Sequence, residues 1–441
     1  MLGHVVEYYD FAVYALLAPV LAQVFFPSDN ELNSLLATLG VFGVAYFVRP
    51  LGGLLFGHLG DRIGRRNTLL AVILMMAGAT TAMGLLPTYN QGGLVAPILL
   101  IVCRSLQGLS AGGEYGGSAS FVAEHAPPGR RGFFTSWLHG STGIGLTLGA
   151  LTALVLSAVV SQDALESWAW RLPFLLALPL GLVGLYLRLR LDDTPAFEAA
   201  KKAGTIPKLP LVEAVRLHWR AILTIAGMVL LLTVSLYVSF TYVTTYLKTF
   251  LDVPLSRSLP AGIAGMLTFF VLAPVFGALS DRVGRKPVLA GAAVGHIIGI
   301  YPAFLLLQNR SFVAILFAYL ILGTLYAGYV GPFTAAVTER FPANVRAASL
   351  GIGYQLPVCV FGGLSPLILT YLTDATGVIL MPAYYVIGAA VISLLVTLLM
   401  TETAGKNAVE LDAVVGTAHA DRLGSEQGAD ENDEHRAHQI R

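Results

Sequence analysis

Charge is scarce in this chain. Of 441 residues only 12% are Asp, Glu, Lys or Arg, where soluble domains run near a quarter. Cysteine is nearly absent: Cys103 and Cys359 stand far apart in apolar surroundings, with no metal spacing and no C-x-x-C, and read as small core residues. There is no H-E-x-x-H and no Walker loop, and no polar stretch long enough to house a catalytic core. These absences argue against an enzyme and against ATP-driven work, and leave an ion gradient as the energy source. No cofactor or metal is expected. The net charge of +1 gives no reason to expect a nucleic acid as partner.

What the chain has is apolar sequence in long runs: 56% hydrophobic residues and a mean hydropathy of +0.72. A run of about 20 apolar residues crosses a hydrocarbon core of roughly 30 Å as a helix, the form that satisfies its own backbone in lipid. Pro, Gly and charge clusters divide the sequence into twelve such spans: 4–26, 34–57, 67–87, 94–119, 133–160, 169–190, 219–248, 258–280, 287–307, 311–338, 347–373 and 379–401. The expected fold is an all-α membrane protein, with lipid as its main surroundings and a monomer as its assembly. The first run carries Glu7 and Asp10 and lacks a basic leader, so it reads as span 1 rather than a cleavable signal. It starts abruptly, which leaves open a cytoplasmic leader ahead of it. Residues 402–441 form a polar tail without a sustained heptad, expected to be largely disordered.

Lys and Arg set the orientation. With the N-terminus inside, the inner loops hold three (61–66), two (124–132), seven (188–220), three (281–286) and two (339–346). The outer side holds only Arg171, Lys248, Arg257 and Arg310. Both termini are therefore expected in the cytoplasm, with the protein in the plasma (inner) membrane. The chain also repeats itself. GHLGDRIGRR at 57–66 returns as GALSDRVGRK at 277–286, and Glu124, Pro127 and Arg131 return as Glu339, Pro342 and Arg346. Two loops recurring in order at nearly one offset imply two six-helix halves, 1–190 and 219–401, joined by a cytoplasmic linker at 191–218, with a solute site between them.

The recurring G-x-x-x-D-R-x-G-R-[RK] loop resembles the signature of the major facilitator superfamily, and Arg104-Ser105-Leu106-Gln107-Gly108 resembles its R-x-x-Q-G motif. More narrowly, VEYYDFAVY (6–14), RPLGGLLFGHLGDRIGRR (49–66), RSLQGLSAGGEYGG (104–117), WAWRLPF (168–174) and DDTPAFE (192–198) resemble the metabolite:proton symporters, the group with proline/betaine, 2-oxoglutarate, citrate and shikimate carriers. GLLPTYN (84–90), APILL (96–100) and MPAYY (381–385) look most like the proline/betaine branch, whose long helical tail this chain lacks. The resemblance implies twelve spans in two pseudo-symmetric bundles, and uptake of a small solute with protons.

Charges inside spans are costly and usually mark the solute or proton path. Glu7, Asp10 and Tyr14 share a face of span 1. Arg49 lies in span 2, and Arg104, Gln107, Glu114 and Ser118 form a stripe on span 4. Arg104 and Arg49 are candidate partners for a solute carboxylate, with Gln107 beside them. Glu7, Asp10, Glu114 and His139 are candidate proton carriers. A structural ion-pair network joining spans 1, 2 and 4 is the competing reading, and a neutral hydrogen-bonded histidine is the competing reading for His139 and His296. Tyr8, Tyr9, Phe11, Tyr14, Tyr115 and Trp137 could hold an ammonium by cation–π attraction, or simply pack. Gly57, Asp61, Arg62, Gly64, Arg65 and Arg66 in the first half are read as a gating latch, with Gly277, Asp281, Arg282, Gly284, Arg285 and Lys286 in the second. Glu124, Arg131, Glu339 and Arg346 join them, and simple topology anchoring is the alternative. Gly143, Gly145 and Gly149 read as close helix packing rather than a nucleotide loop.

Arg49 and Arg104 face Glu7, Asp10 and Glu114, so the cavity has no positive surplus. That favours a zwitterion such as proline or glycine betaine over an organic acid of the 2-oxoglutarate, citrate or shikimate type. A proton-coupled drug antiporter is the further alternative.

Overall fold

The computed structural model describes residues 2–63, 65–127, 129–189, 210–340, 350 and 353–404. Among them all regular structure is helical. Among the described residues nine helices are long and apolar enough to cross a membrane: Glu31–Phe56, Val95–Gly112, Arg131–Val159, Ala221–Leu251, Leu255–Val283, Arg285–Gln308, Phe312–Thr338, Gly353–Thr376 and Met381–Leu399. Two bent pairs, His4–Leu16 with Ala18–Phe25 and Gln162–Ala169 with Arg171–Tyr186, and the shorter Leu70–Gly84 fill the remaining places. They follow the order of the twelve expected spans, numbered 1 to 12 below.

The departures from straight helices have local causes. Span 1 bends by 68° at Leu17, where Pro19 opens the second piece and has no N–H to continue the first. Span 4, expected as one helix over 94–119, breaks: Val95–Gly112 ends at the Gly112-Gly113 pair and Tyr115–His125 begins beyond it. A glycine pair is a weak point in a helix. Spans 7 and 11 each contain a π-helical turn, Tyr237–Tyr242 and Val358–Gly362. The two turns meet, because Gly362 has no side chain where Tyr237 packs against it. Such turns recur at functional sites.

Glycine controls which backbones can touch. A Cβ on Gly108 would run into the carbonyl oxygen of Ala45, and one on Gly112 into that of Arg49, so this four-residue spacing seats span 4 on span 2. The same logic applies to span 5. Gly145 and Gly149 lie against span 1 at Val5, Tyr9 and Ala12, and Gly143 against Phe269 of span 8, which is the close packing expected of that string. Gly132 and Gly277 bring the start of span 5 and the end of span 8 together across the two halves, and Gly43 and Tyr46 of span 2 meet Gly363 and Leu364 of span 11. Cys103 and Cys359 are free and buried.

The glycine seat can be tested by adding a side chain. Gly108→Val and Gly112→Val should each destabilise the protein by about 1–3 kcal/mol, the usual range for overpacking, and lower the thermal unfolding midpoint in detergent. Gly291→Ala, where an added Cβ meets nothing within 4 Å, should leave the midpoint unchanged. Equal behaviour of all three would mean that Gly108 and Gly112 do not set the spacing.

Candidate functional site

The charges of spans 1, 2 and 4 meet as ion pairs in the interior. Arg104 Nη1 lies 3.2 Å from Asp10 Oδ2, and both side chains are fully buried. The same nitrogen donates to Gln107 Oε1 at 2.8 Å, and Gln107 Nε2 donates to Thr80 Oγ1 of span 3 at 2.9 Å. The guanidinium lies over three aromatic rings, Tyr14 at 4.3 Å, Phe11 at 4.7 Å and Phe42 at 5.3 Å. One turn away Arg49 Nη2 donates to Glu7 Oε1 at 2.7 Å and lies 4.4 Å above Tyr46 and 4.7 Å above Phe11. Phe11 thus separates two stacked ion pairs. His4 Nδ1 is 3.3 Å from Glu7 Oε2, and Glu114 lies close to both.

These groups keep unused hydrogen-bonding capacity. Asp10 Oδ1, Arg104 Nε and Nη2, Arg49 Nε and Glu114 Oε1 are buried with no hydrogen-bond partner among the described residues. Buried polar groups are ordinarily satisfied. A cluster of unsatisfied atoms around two arginines and three acids has the chemistry to receive a polar solute or a proton.

The second half contributes aromatic and amide groups. Tyr46 donates to Tyr237 at 2.8 Å across the two halves. Tyr115 stacks on Tyr354 with ring centroids 3.8 Å apart, and Gln355 Nε2 donates to the Gly112 carbonyl at 3.3 Å. His139 lies 6.0 Å from Tyr115 and 6.2 Å from Phe333, and its Nε2 has no hydrogen-bond partner among the described residues. Tyr8 sits 5.8 Å from His4. Of the sequence candidates, Glu7, Asp10, Arg49, Arg104, Gln107, Glu114, Tyr8, Tyr14, Tyr115 and His139 are brought together. Trp137 is not: it is 36% exposed and packs on Phe133 and Phe270. His296 is a bonded core histidine, with Ser235 Oγ at 2.9 Å and the Ala292 carbonyl at 2.8 Å. Sequence reasoning passed over His4, Tyr46, Thr80, Tyr237, Tyr354 and Gln355. His4 was in principle legible, since it lies on the Glu7 face of span 1.

The second-half signature loop forms a clamp at one end of the bundle. Asp281 accepts from the backbone N–H groups of Gly132 and Phe133 at 2.8 and 2.9 Å, so it caps span 5 of the other half rather than the helix that follows it. Arg285 bridges Asp281 at 2.7 Å and Glu339 at 3.1 Å. Beyond span 12, Glu402 accepts from the backbone N–H groups of Arg285, Lys286, Thr403 and Ala404, and the Thr403 hydroxyl donates to Glu339. Arg282 is exposed, and Arg131 opens span 5. Gly64 and Arg346 lie outside the described residues, as do most of the linker and of the tail; Gly57, Asp61 and Arg62 belong to the helix Glu31–Ile63, Arg65 and Arg66 to Arg65–Gly84, and Glu124 to Tyr115–His125.

Burial alone would raise the Glu402 pKa, but its four backbone donors outweigh that and hold the carboxyl below 4.5. A depressed folded value means that the contribution is complete above pH 4.5 and fades only as the pH falls below it. Glu402→Ala at pH 7 should therefore speed amide hydrogen exchange at Arg285 and Lys286, and wild-type protein taken from pH 7 to pH 5 should keep their protection once intrinsic exchange rates are divided out. Protection unchanged in the variant would show that the carboxylate does not hold the turn.

Comparison with known proteins agrees with this architecture. The model of the Major Facilitator Superfamily matches residues 1–357. The glycine betaine/proline/ectoine/pipecolic acid transporter OusA of Dickeya dadantii is 38% identical over 416 residues, 92% of this chain and 82% of that one. The proline/betaine transporter of Escherichia coli K12 is 38% identical over 416 residues, 92% of this chain and 83% of that one. Among solved structures, the proton:xylose symporter XylE bound to 6-bromo-6-deoxy-D-glucose superposes with a TM-score of 0.73 at 19% identity, covering 94% of this chain and 97% of that one. Its likeness is one of fold, and it agrees with the helical arrangement that the glycine contacts and the duplicated loops imply. The matched family model and the two relatives together establish that this chain belongs to the major facilitator superfamily.

Proposed function

We propose that this protein takes up a small zwitterionic osmolyte of the proline or glycine betaine class, driven by protons entering with it. The observation that carries the reading is the buried cluster of Asp10, Glu7 and Glu114 against Arg104 and Arg49. A zwitterion brings one charge of each sign, and the cluster offers partners for both: guanidinium nitrogens for a carboxylate, acids and tyrosine faces for an ammonium. The two relatives are named for proline and betaine among their solutes, which supports the same class. A dicarboxylate or citrate would require a surplus of positive charge that these residues do not provide.

Asp10 is the proposed proton carrier. It is wholly buried, bonded to Arg104 through one oxygen and free on the other. A solute carboxylate that draws Arg104 away leaves Asp10 without its counter-charge, and a buried unpaired carboxylate takes up a proton. Release of the solute restores the pair and expels the proton. The Lys and Arg distribution favours a cytoplasmic face at the signature-loop end, with both termini on it and the chain in the plasma membrane. Alternating access then requires the Asp281 clamp to open as the halves rock.

The test is uptake by purified protein in liposomes under an inward proton gradient, with proline, glycine betaine, 2-oxoglutarate, citrate and shikimate offered separately. A gradient of one pH unit supplies about 1.4 kcal/mol per proton, enough for about tenfold accumulation at one proton per solute. Accumulation of proline or betaine, abolished by a protonophore, is expected. Accumulation of an organic acid instead would overturn the osmolyte reading and keep symport. Uptake stimulated by an outward gradient would favour an antiporter. Asp10→Asn should lose accumulation yet retain solute exchange between equal pools, because an amide mimics the protonated acid and cannot release a proton. Arg104→Gln should lose both. Normal accumulation in either variant removes that residue from the mechanism.

A further inference from the structure

Buried charge in the first half does not balance. Glu7 is taken by Arg49 and Asp10 by Arg104, while Glu114 has no ion-pair partner among the described residues. Glu114 is only 4% exposed, and its Oε1 makes no hydrogen bond. A buried carboxylate left this way is strongly disfavoured as the bare anion, and a cation or a proton must join it. The one place that Glu114 points to is shared with His4 and Glu7: one donor atom from each, an imidazole nitrogen and two carboxylate oxygens, all lie within 4.8 Å of one another. We propose that His4, Glu7 and Glu114 form a binding site for a divalent transition-metal cation of the zinc class, and that its occupation stops transport.

The backbone builds the site from two directions. His4 and Glu7 are three residues apart in Leu2–Leu16 and so share a face of span 1. Glu114 stands at the break of span 4, where the chain leaves one helix at Gly112 and enters the next at Tyr115. Zinc binds nitrogen and carboxylate oxygen at about 2.0–2.2 Å in a tetrahedron, which sets the donors roughly 3.4 Å apart. His4 Nδ1 and Glu7 Oε2 are already 3.3 Å apart. The longest separation needs to shrink by an ångström or so, within reach of glutamate rotamers. Arg49 fixes Glu7 through Oε1 at 2.7 Å and leaves Oε2 turned to the cluster, the orienting role that outer partners play for metal-binding carboxylates. Magnesium and calcium take six or more oxygens and suit an imidazole-containing triad poorly. Arg49 also opposes a second positive charge, so binding weaker than that of a structural zinc site is expected.

Transport would stop for two reasons. The metal ties span 1 to span 4, and it occupies the acids offered above to a solute ammonium. The second reason rests on the proposed function, whereas metal binding does not.

The experiment is calorimetric titration of the purified full-length protein with ZnCl2, paired with the visible spectrum of the Co2+ form. The tail carries His419, His435 and His438, so the reference is the chain with all three changed to Ala. One saturable site per chain is expected in it. His4→Gln and Glu114→Gln in that background should each weaken binding at least tenfold. His4→Cys should restore binding and add a thiolate-to-cobalt charge-transfer band, which a merely structural histidine would not produce. Binding that vanishes with the tail histidines, or that survives both glutamine variants, overturns the site. In liposomes, uptake should fall over the same zinc range as the titration; stoichiometric binding with undiminished uptake overturns the block. A protein that moves neither proline nor betaine would defeat the functional reading, and the calorimetric titration would still decide the metal site.

Discussion

Arg104 is a cation held where there is no water, and much of the first half is arranged around that fact. Removing a guanidinium from water costs several kcal/mol even after the protein relaxes. Here Asp10, Gln107 and three aromatic rings surround it. Those partners come from spans 1, 2 and 4, so the three helices must approach closely. Gly108 and Gly112 allow that approach by presenting bare backbone to Ala45 and Arg49, and Gly145 and Gly149 do the same between spans 5 and 1. The glycines position nothing by themselves. They let the backbones close to the distance at which an aspartate and an arginine can meet, and the ion pair then disfavours any other register because each alternative would strand a buried charge.

The two halves divide the chemistry. The first supplies formal charge, and the second supplies tyrosines and an amide through Tyr237, Tyr354 and Gln355. The polar and stacked links between them near the middle include the Tyr46–Tyr237 hydroxyl pair, the Tyr115–Tyr354 ring stack and the hydrogen bond from the Gln355 amide. Each is worth about a kilocalorie per mole net. Contacts of that size can be exchanged for contacts with a solute, whereas the ion pairs within the first half cannot be broken without a replacement charge. A structure that must hold its charges yet let its halves part needs this division.

Legibility followed the same line. Glu7, Asp10, Arg49, Arg104 and Glu114 could be read from sequence because charge in an apolar run is anomalous. The duplicated loops could be read because they repeat. Tyr237 and Tyr354 could not, since an aromatic in a hydrophobic helix is the default core residue and nothing local says which face it takes. Trp137 shows the same ambiguity from the other side: it read either as an aromatic that could hold an ammonium or as ordinary packing, and its ring lies against Phe270 rather than among the charges. The break in span 4 lay hidden in a glycine pair that reads equally well as close packing. It matters, because it frees Glu114 from the stripe on which Arg104 and Gln107 sit.

The clamp at the signature loops obeys a different rule from the ion pairs inside. Asp281 holds two N–H groups from the first turn of span 5, donors that no helix can satisfy for itself. Glu402 does the same for Arg285 and Lys286 at the start of span 9. A helix start attracts a carboxylate because its dipole adds to its free donors. When such a cap is released at the end of a bundle, water can take its place, so the net penalty is modest. The pair of Asp10 and Arg104 has no such substitute, and only a proton and a counter-ion can separate it. The clamp contacts, buried while closed, stand at an end of the bundle where opening lets water in, and the central pair stands where opening does not. That placement lets the opening of the clamp be thermally cheap while the central pair decides whether the opening does work.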